Sequence, residues 1–278
     1  MIVPLLLLLP NFSALKSEPF HMGQQVQQEQ VSEQELSAGY TYFFTHDSLL
    51  DTERALTAPT IIWNKYASRA VKDVLKREGE ALDKVSKRSD RYFQTIEKVF
   101  AQYNLPAQLK YLAVVESQLR TTAPSRVGAK GVWQFMPTTA RELGLKVQGK
   151  TDERTHFYKS TVAAAKYIRS LHGMFNDWLL VLAAYNSGPG PVLSAIKKSG
   201  SRNFWVLQRF LPAESRAHVK RFIATHYYFE QEGSVTILTR NEALAYEKAT
   251  REYLASIAAA SGTEKEKEMA PEVATITD

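Results

Sequence analysis

One carboxylate constrains this chain more than any other residue. Glu116 lies in PAQLKYLAVVES, residues 106–117, where Leu109, Leu112, Ala113 and Glu116 recur at three- and four-residue spacing. They therefore share one helical face. Pro106 suits the first position of that helix, where its missing N–H costs nothing. The apolar face must be buried, and Glu116 goes in with it. A carboxylate taken into a core is expensive unless it is paired or protonated. Burial favours the protonated form, which is the state a general acid needs. Two readings stand at this point: a Glu held by an Arg for structure, or an acid kept for chemistry.

The surrounding periodicity is helical. Trp63, Tyr66, Ala70, Val74, Leu75, Leu82 and Val85 predict a long amphipathic helix over 61–88, packed outside the main domain. Asp90 suits the cap of a second helix reaching about Tyr103, with Phe93, Ile96, Val99 and Phe100 as its apolar stripe. Residues 121–131 read as a loop broken by Pro124, Gly128 and Gly131. Pro137 opens a short helix ending at Gly144, and Ser160 is expected to cap a helix over 161–172. Residues 178–185, WLLVLAAY, are continuously apolar and read as a buried central helix. A last helix is expected over about 241–260. No segment of this half alternates with period two, so the fold class is all-α.

Three further motifs follow Glu116 in order. They are GAKGVWQFMP at 128–137, AAYNSGPG at 183–190 and LPAESR at 211–216. Together with Glu116-Ser117 they resemble the family 1 lytic transglycosylases, the Slt-type catalytic domain of lysozyme-like, goose-type lysozyme-like fold. Trp133 in Gly-x-Trp-Gln-Phe-Met-Pro marks the membrane-bound branch of that family. The resemblance spans about 89–230, half the chain.

The resemblance implies a chemistry for a single carboxylate. Glycoside cleavage commonly uses two acids, and no second Asp or Glu stands close to Glu116; Glu142, Asp152 and Glu153 read as helix-start or surface residues. In the family, one Glu protonates the oxygen between N-acetylmuramic acid and N-acetylglucosamine, then accepts the proton of the 6-hydroxyl. The product is a 1,6-anhydro end, formed without water. Carried over by motif, Glu116 is the catalytic residue, and Ser125, Gln134, Met136, Tyr185, Asn186 and Glu214 are expected at the substrate. Tyr185 matches the Tyr whose hydroxyl reaches the catalytic carboxylate. Trp133 reads as core packing. Two residues depart from the pattern: His218 stands where relatives often have Tyr, and His156 where an Asp is common. Ser215 replaces the Thr of the family's Glu-Thr pair.

Composition narrows the rest. Cysteine is absent, which excludes disulfides, thiolate metal sites, a Cys nucleophile and a Cys-borne lipid anchor. The Gly188-Pro189-Gly190 turn lacks the Lys and Ser/Thr of a phosphate loop, and no His, Asp or Glu cluster has metal-ligand spacing. Neither a nucleotide cofactor nor a metal is expected. The net charge is +6, yet residues 91–230 alone carry 20 Lys and Arg against 8 Asp and Glu. Such a domain suits a polyanion. No nucleic-acid motif is present, and murein, anionic through its peptide carboxylates, is the expected partner, with peripheral association with the envelope.

The expected organisation is an apolar signal-like segment or tail over 1–22, a Gln- and Glu-rich arm over 23–60, the 61–88 helix, the catalytic domain over 89–230, a helix over 231–260 and a disordered tail over 261–278. The MIVPLLLLLP start is too short to span a bilayer and fits a signal-peptide core, although no Lys or Arg precedes it. Export to the periplasm or envelope is the expectation. A goose-type hydrolase and a non-catalytic murein-binding protein remain as alternatives.

Overall fold

The computed structural model describes residues 58–61, 65–123, 125 and 127–268. The expected signal segment and most of the Gln/Glu-rich arm lie outside the described residues, as does the tail beyond 268. The architecture is all-α, as the periodicity indicates. The sheet among the described residues is one two-residue hairpin, β1 (Val147–Gln148) against β2 (Thr151–Asp152), with Val147 opposite Asp152. Strands of two residues leave no alternation to read.

The first helix, α1 (Lys65–Gln102), runs without a break through the boundary expected at residues 88 and 89. Asp90 is exposed in mid-helix and caps nothing. The physical reason is the stripe beneath it. Leu82, Val85, Phe93, Ile96 and Phe100 keep helical spacing, with buried Ser89 filling the gap and bonding the Ser86 carbonyl at 3.0 Å. This helix is not an outlying addition. Its apolar residues from Ala67 to Phe100 belong to the same buried cluster as the rest of the domain.

After α1 the chain makes a 3-10 turn (Ala107–Lys110) with Pro106 at its cap, then the short α2 (Tyr111–Ser117) that carries Glu116. Next come α3 (Pro137–Glu142), the hairpin, and α4 (Phe157–Phe175). Helix α4 begins earlier than expected: His156, not Ser160, is its cap, and Ser160 and Gly173 lie inside it. Helix α5 (Trp178–Ser187) is the central helix the apolar run predicts, with Leu179 to Ala184 fully buried. Helices α6 (Pro189–Ser199), α7 (Phe204–Leu207) and α8 (Ala213–Glu230) follow. Helix α8 packs along α1 on one side and against α5 and α2 on the other. The last helix, α9 (Arg240–Glu268), extends eight residues past the expected end. Among the described residues no helix is long and apolar enough to cross a membrane.

Candidate active site

Helix α2 is two turns long and carries Glu116 at its tip. Tyr111 to Val114 are buried and anchor it. Gln118 and Leu119 then both adopt left-handed backbone, φ 54° and 61°, which few non-glycine residues do without a structural reason. That double turn ends the helix one residue after Ser117. The Ser117 hydroxyl donates to the Val132 carbonyl at 2.9 Å, tying the tip of α2 to the Gly-x-Trp-Gln-Phe-Met-Pro loop. Glu116 is thus held where two segments meet.

The Glu116 side chain is 14% exposed, and its Oε1 lies 2.8 Å from Nε2 of His218, which is 5% exposed. Sequence separation is 102 residues, bridged because α2 packs on α8. No hydrogen bond reaches Glu116 Oε2 among the described residues. The pairing expected of a structural ion pair, with an Arg, is absent here: the partner is an imidazole. His218 Nδ1 is buried without a partner. Of the two neutral tautomers, the one with its proton on Nε2 avoids stranding a buried N–H donor. His218 is assigned as that tautomer, donating to Glu116 Oε1.

Tyr185 is placed differently from the expectation. Its hydroxyl donates to the Trp133 carbonyl at 2.8 Å rather than to Glu116. Burial, with Glu116 and Tyr167 nearby, holds this hydroxyl protonated well above the usual phenol range. Its ring sits 5.5 Å from that of Tyr167 and 6.1 Å from that of Phe135, so an aromatic wall stands beside the acid. Burial also pushes the Tyr167 hydroxyl up to about 12, with Glu142 adding to the effect.

The loop between α2 and α3 is braced from within. Gln134, itself at φ 49°, donates through Nε2 to the carbonyls of Ala123 and Gly131 at 2.9 and 2.8 Å. Both of its N–H bonds therefore hold the loop, leaving its Oε1 as the atom free to meet a ligand. The Ser125 hydroxyl oxygen accepts from Ala129 N–H at 2.7 Å and closes the 125–129 turn. Gly131 has φ 85°, and a Cβ there would stand 2.0 Å from the Arg154 carbonyl, so only glycine fits. Arg154 is buried, donates to the Gly128 and Phe135 carbonyls, and pairs with Asp152. That pairing holds the Asp152 carboxyl down to about 2. Asp152 is thereby committed to structure.

The remaining expected residues separate into two groups. Asn186 Oδ1 accepts from the buried Ser215 hydroxyl at 2.9 Å, so the Ser that replaces Thr keeps the hydroxyl that joins α5 to α8. Met136 is 42% exposed and caps α3. Glu214 is exposed in the first turn of α8, four residues before His218; it is not a partner of Glu116. Trp133 is fully buried, with Nε1 donating to Thr161 at 3.0 Å; it packs the core as expected. His156 receives the Lys159 N–H at 3.4 Å and caps α4. The residue the motifs did not assign is His218, whose only signal is its departure from the family pattern. Among the described residues, no cluster of His, Asp and Glu could hold a metal.

A family model, Transglycosylase SLT domain, matches residues 94–208. These residues are similar to that domain. Membrane-bound lytic murein transglycosylase D of Escherichia coli (strain K12) is 37% identical over 161 residues, 56% of this chain and 35% of that protein. Peptidoglycan transglycosylase gp16 of Escherichia phage T7 is 40% identical over 96 residues, 32% of this chain and 7% of its own length. Among solved structures, the 70 kDa soluble lytic transglycosylase Slt70 of Escherichia coli aligns with a TM-score of 0.49 at 22% identity, covering 63% of this chain and 31% of that one. The chain thus spans about a third of the Escherichia coli relative. The matched segment contains Glu116, the braced loop and Tyr185, whereas His218 lies ten residues beyond its end.

Proposed function

We propose that this protein is a murein lytic transglycosylase that cleaves the bond between N-acetylmuramic acid and N-acetylglucosamine and leaves 1,6-anhydro ends. The observation that carries the reading is the state of Glu116: one oxygen held by His218, the other without a partner among the described residues, at the tip of a buried helix inside the segment similar to the SLT domain. With Nε2–H on Oε1, the carboxylic proton belongs on Oε2, the open oxygen. Glu116 gives that proton to the bridging oxygen as the bond to the anomeric carbon breaks, and the 2-acetamido carbonyl assists at that carbon. The ionised Glu116 next takes the proton of the 6-hydroxyl, whose oxygen closes on the anomeric carbon. Glu116 ends as it began, and no water is consumed.

The supporting residues act on position. Gln134 and Ser125 hold the loop that Ser117 ties to the tip of α2, and Tyr185 fixes the Trp133 carbonyl within it. Tyr167 and Tyr185, backed by buried Phe135, offer aromatic surface of the kind that sugar faces pack against. Met136 is exposed. An envelope location, with peptidoglycan as partner, goes with this proposed substrate. Mass spectrometry of digested sacculi is the test. Anhydro ends are expected. Reducing ends would make the protein a hydrolase, and intact sacculi would leave only a binding role.

A further inference from the structure

A groove of about 900 Å³ lies beside the Glu116 segment, lined by residues that follow it in the chain and by one face of α1. One wall is a face of α1 bearing Arg77, Lys84 and Arg88; the other is the Gln118–Ala123 segment, with Arg120. The α1 residues are seven and four positions apart, which puts them on one helical face. All four cations are exposed, and none has a carboxylate partner among the described residues. Arg88 donates to the Gln118 carbonyl at 2.6 Å and Arg120 to the Gln118 side chain at 2.7 Å. The single acid in the lining is Glu80. Four unpaired cations drawn around one concavity repel one another, and an anion relieves that repulsion.

From this groove we infer that it binds the carboxylates of the peptide stem of the glycan strand. The inference rests on the proposed function, because the stem is joined to the muramic acid whose bond Glu116 would break. The groove begins where α2 ends: Gln118 stands two residues past Glu116, and its left-handed turn carries the chain directly from the acid into the groove wall. Arg88 and Arg120 both bond Gln118 and so stand at the end of the groove next to Glu116 in the chain. Arginine forks match carboxylates in two-point contact. Single-stranded nucleic acid is the weaker fit, since it stacks on rows of aromatic rings and Tyr92 is the one aromatic residue in the lining.

The test uses the full chain and two substrates: glycan strands carrying their stems, and the same strands stripped by an amidase. The expected result is a higher kcat/KM on stem-bearing strands, with the preference shrinking as salt is raised. Arg77→Gln with Lys84→Gln should lower that preference roughly two- to tenfold, the worth of two exposed ion pairs. Calorimetry with the free stem peptide should show binding that weakens in the same variant. Equal cleavage of both strands by the wild type, or a preference unchanged in the variant, overturns this inference and leaves the proposed function standing. Cleavage of neither strand overturns both. Displacement of the stem peptide by a short oligonucleotide at equal concentration would reassign the groove to nucleic acid.

Discussion

Glu116 and Asp177 are both carboxylates drawn into the core, and their surroundings differ in a telling way. Asp177 is 4% exposed and caps α5; one oxygen accepts from Leu180 N–H at 3.0 Å and the other from Arg240 N–H at 2.8 Å. Both its oxygens are spent on backbone, and they join α5 to the start of α9. Glu116 is 14% exposed, takes no backbone donor among the described residues, and has one oxygen free. Asp177 also sits at a helix N-terminus, where the dipole favours an anion, whereas Glu116 sits at the last turn of a helix. An acid that holds a fold together is used up by it. An acid that can react keeps an oxygen open and is steadied by a side chain.

The sharpest way to break this contrast is Glu116→Gln. The amide keeps an oxygen for His218 but has no proton to give, so cleavage of sacculi should fall by about 10²–10⁴-fold or more. Its melting temperature should hold or rise, because a buried ionisable group has been removed. Activity near wild type in the purified variant would end the catalytic assignment. The partner matters here: an imidazole can exist without charge, whereas a buried Arg left unpaired cannot.

His218 is the next largest effect. His218→Leu removes the donor to Oε1 and lets the acid rotate, so kcat should fall roughly 10–100-fold, the worth of one hydrogen bond to a charged or ionisable group. His218→Gln places an amide N–H in about the same position and should recover most of that loss. Equal kcat in the Leu and Gln variants would show that His218 merely fills space.

What the sequence revealed and what it hid follow from how each feature is encoded. Glu116 was legible because apolar spacing within one short segment sets its burial. The central helix was legible for the same reason. The unity of α1 was hidden by Ser89 and Asp90, two polar residues that look like a stop; only the folded structure shows that Ser89 is buried. The Glu116–His218 contact was hidden because it depends on two helices 102 residues apart. The Tyr185 hydroxyl bonds the Trp133 carbonyl, 52 residues away in sequence, and no spacing rule encodes that contact.

Tyr185→Phe should therefore act more on the fold than on the chemistry. Losing one hydrogen bond to a part-buried carbonyl costs about 1 kcal/mol, read as a lower denaturant midpoint, with kcat reduced less than in His218→Leu. A large loss of kcat at unchanged stability would instead put the hydroxyl on the reacting sugar.

The smallest effect is a cancellation, and Asp177 is half of it. Burial raises the Asp177 carboxyl from 3.8 to about 6, so as pH rises through that window the unfolded chain releases a proton that the folded chain keeps at a cost. Stability from this group is full below 3.8 and falls toward pH 6, by about 3 kcal/mol. His226 behaves oppositely. Burial lowers it from 6.5 to about 4, so as pH falls through that window the unfolded chain gains a proton that the folded one refuses. Its contribution is full above 6.5 and is lost toward pH 4, again by about 3 kcal/mol. Between pH 4 and 6 the two slopes oppose, and together they should move the unfolding free energy by less than about 1 kcal/mol. Asp177→Asn removes one slope and leaves the other, so the variant should lose stability steadily on acidification where the wild type stays nearly level. Denaturant titrations across that window decide it: parallel pH profiles for wild type and variant would mean that Asp177 does not titrate there. That would place its two backbone hydrogen bonds, rather than its burial, in control of the buried carboxylate.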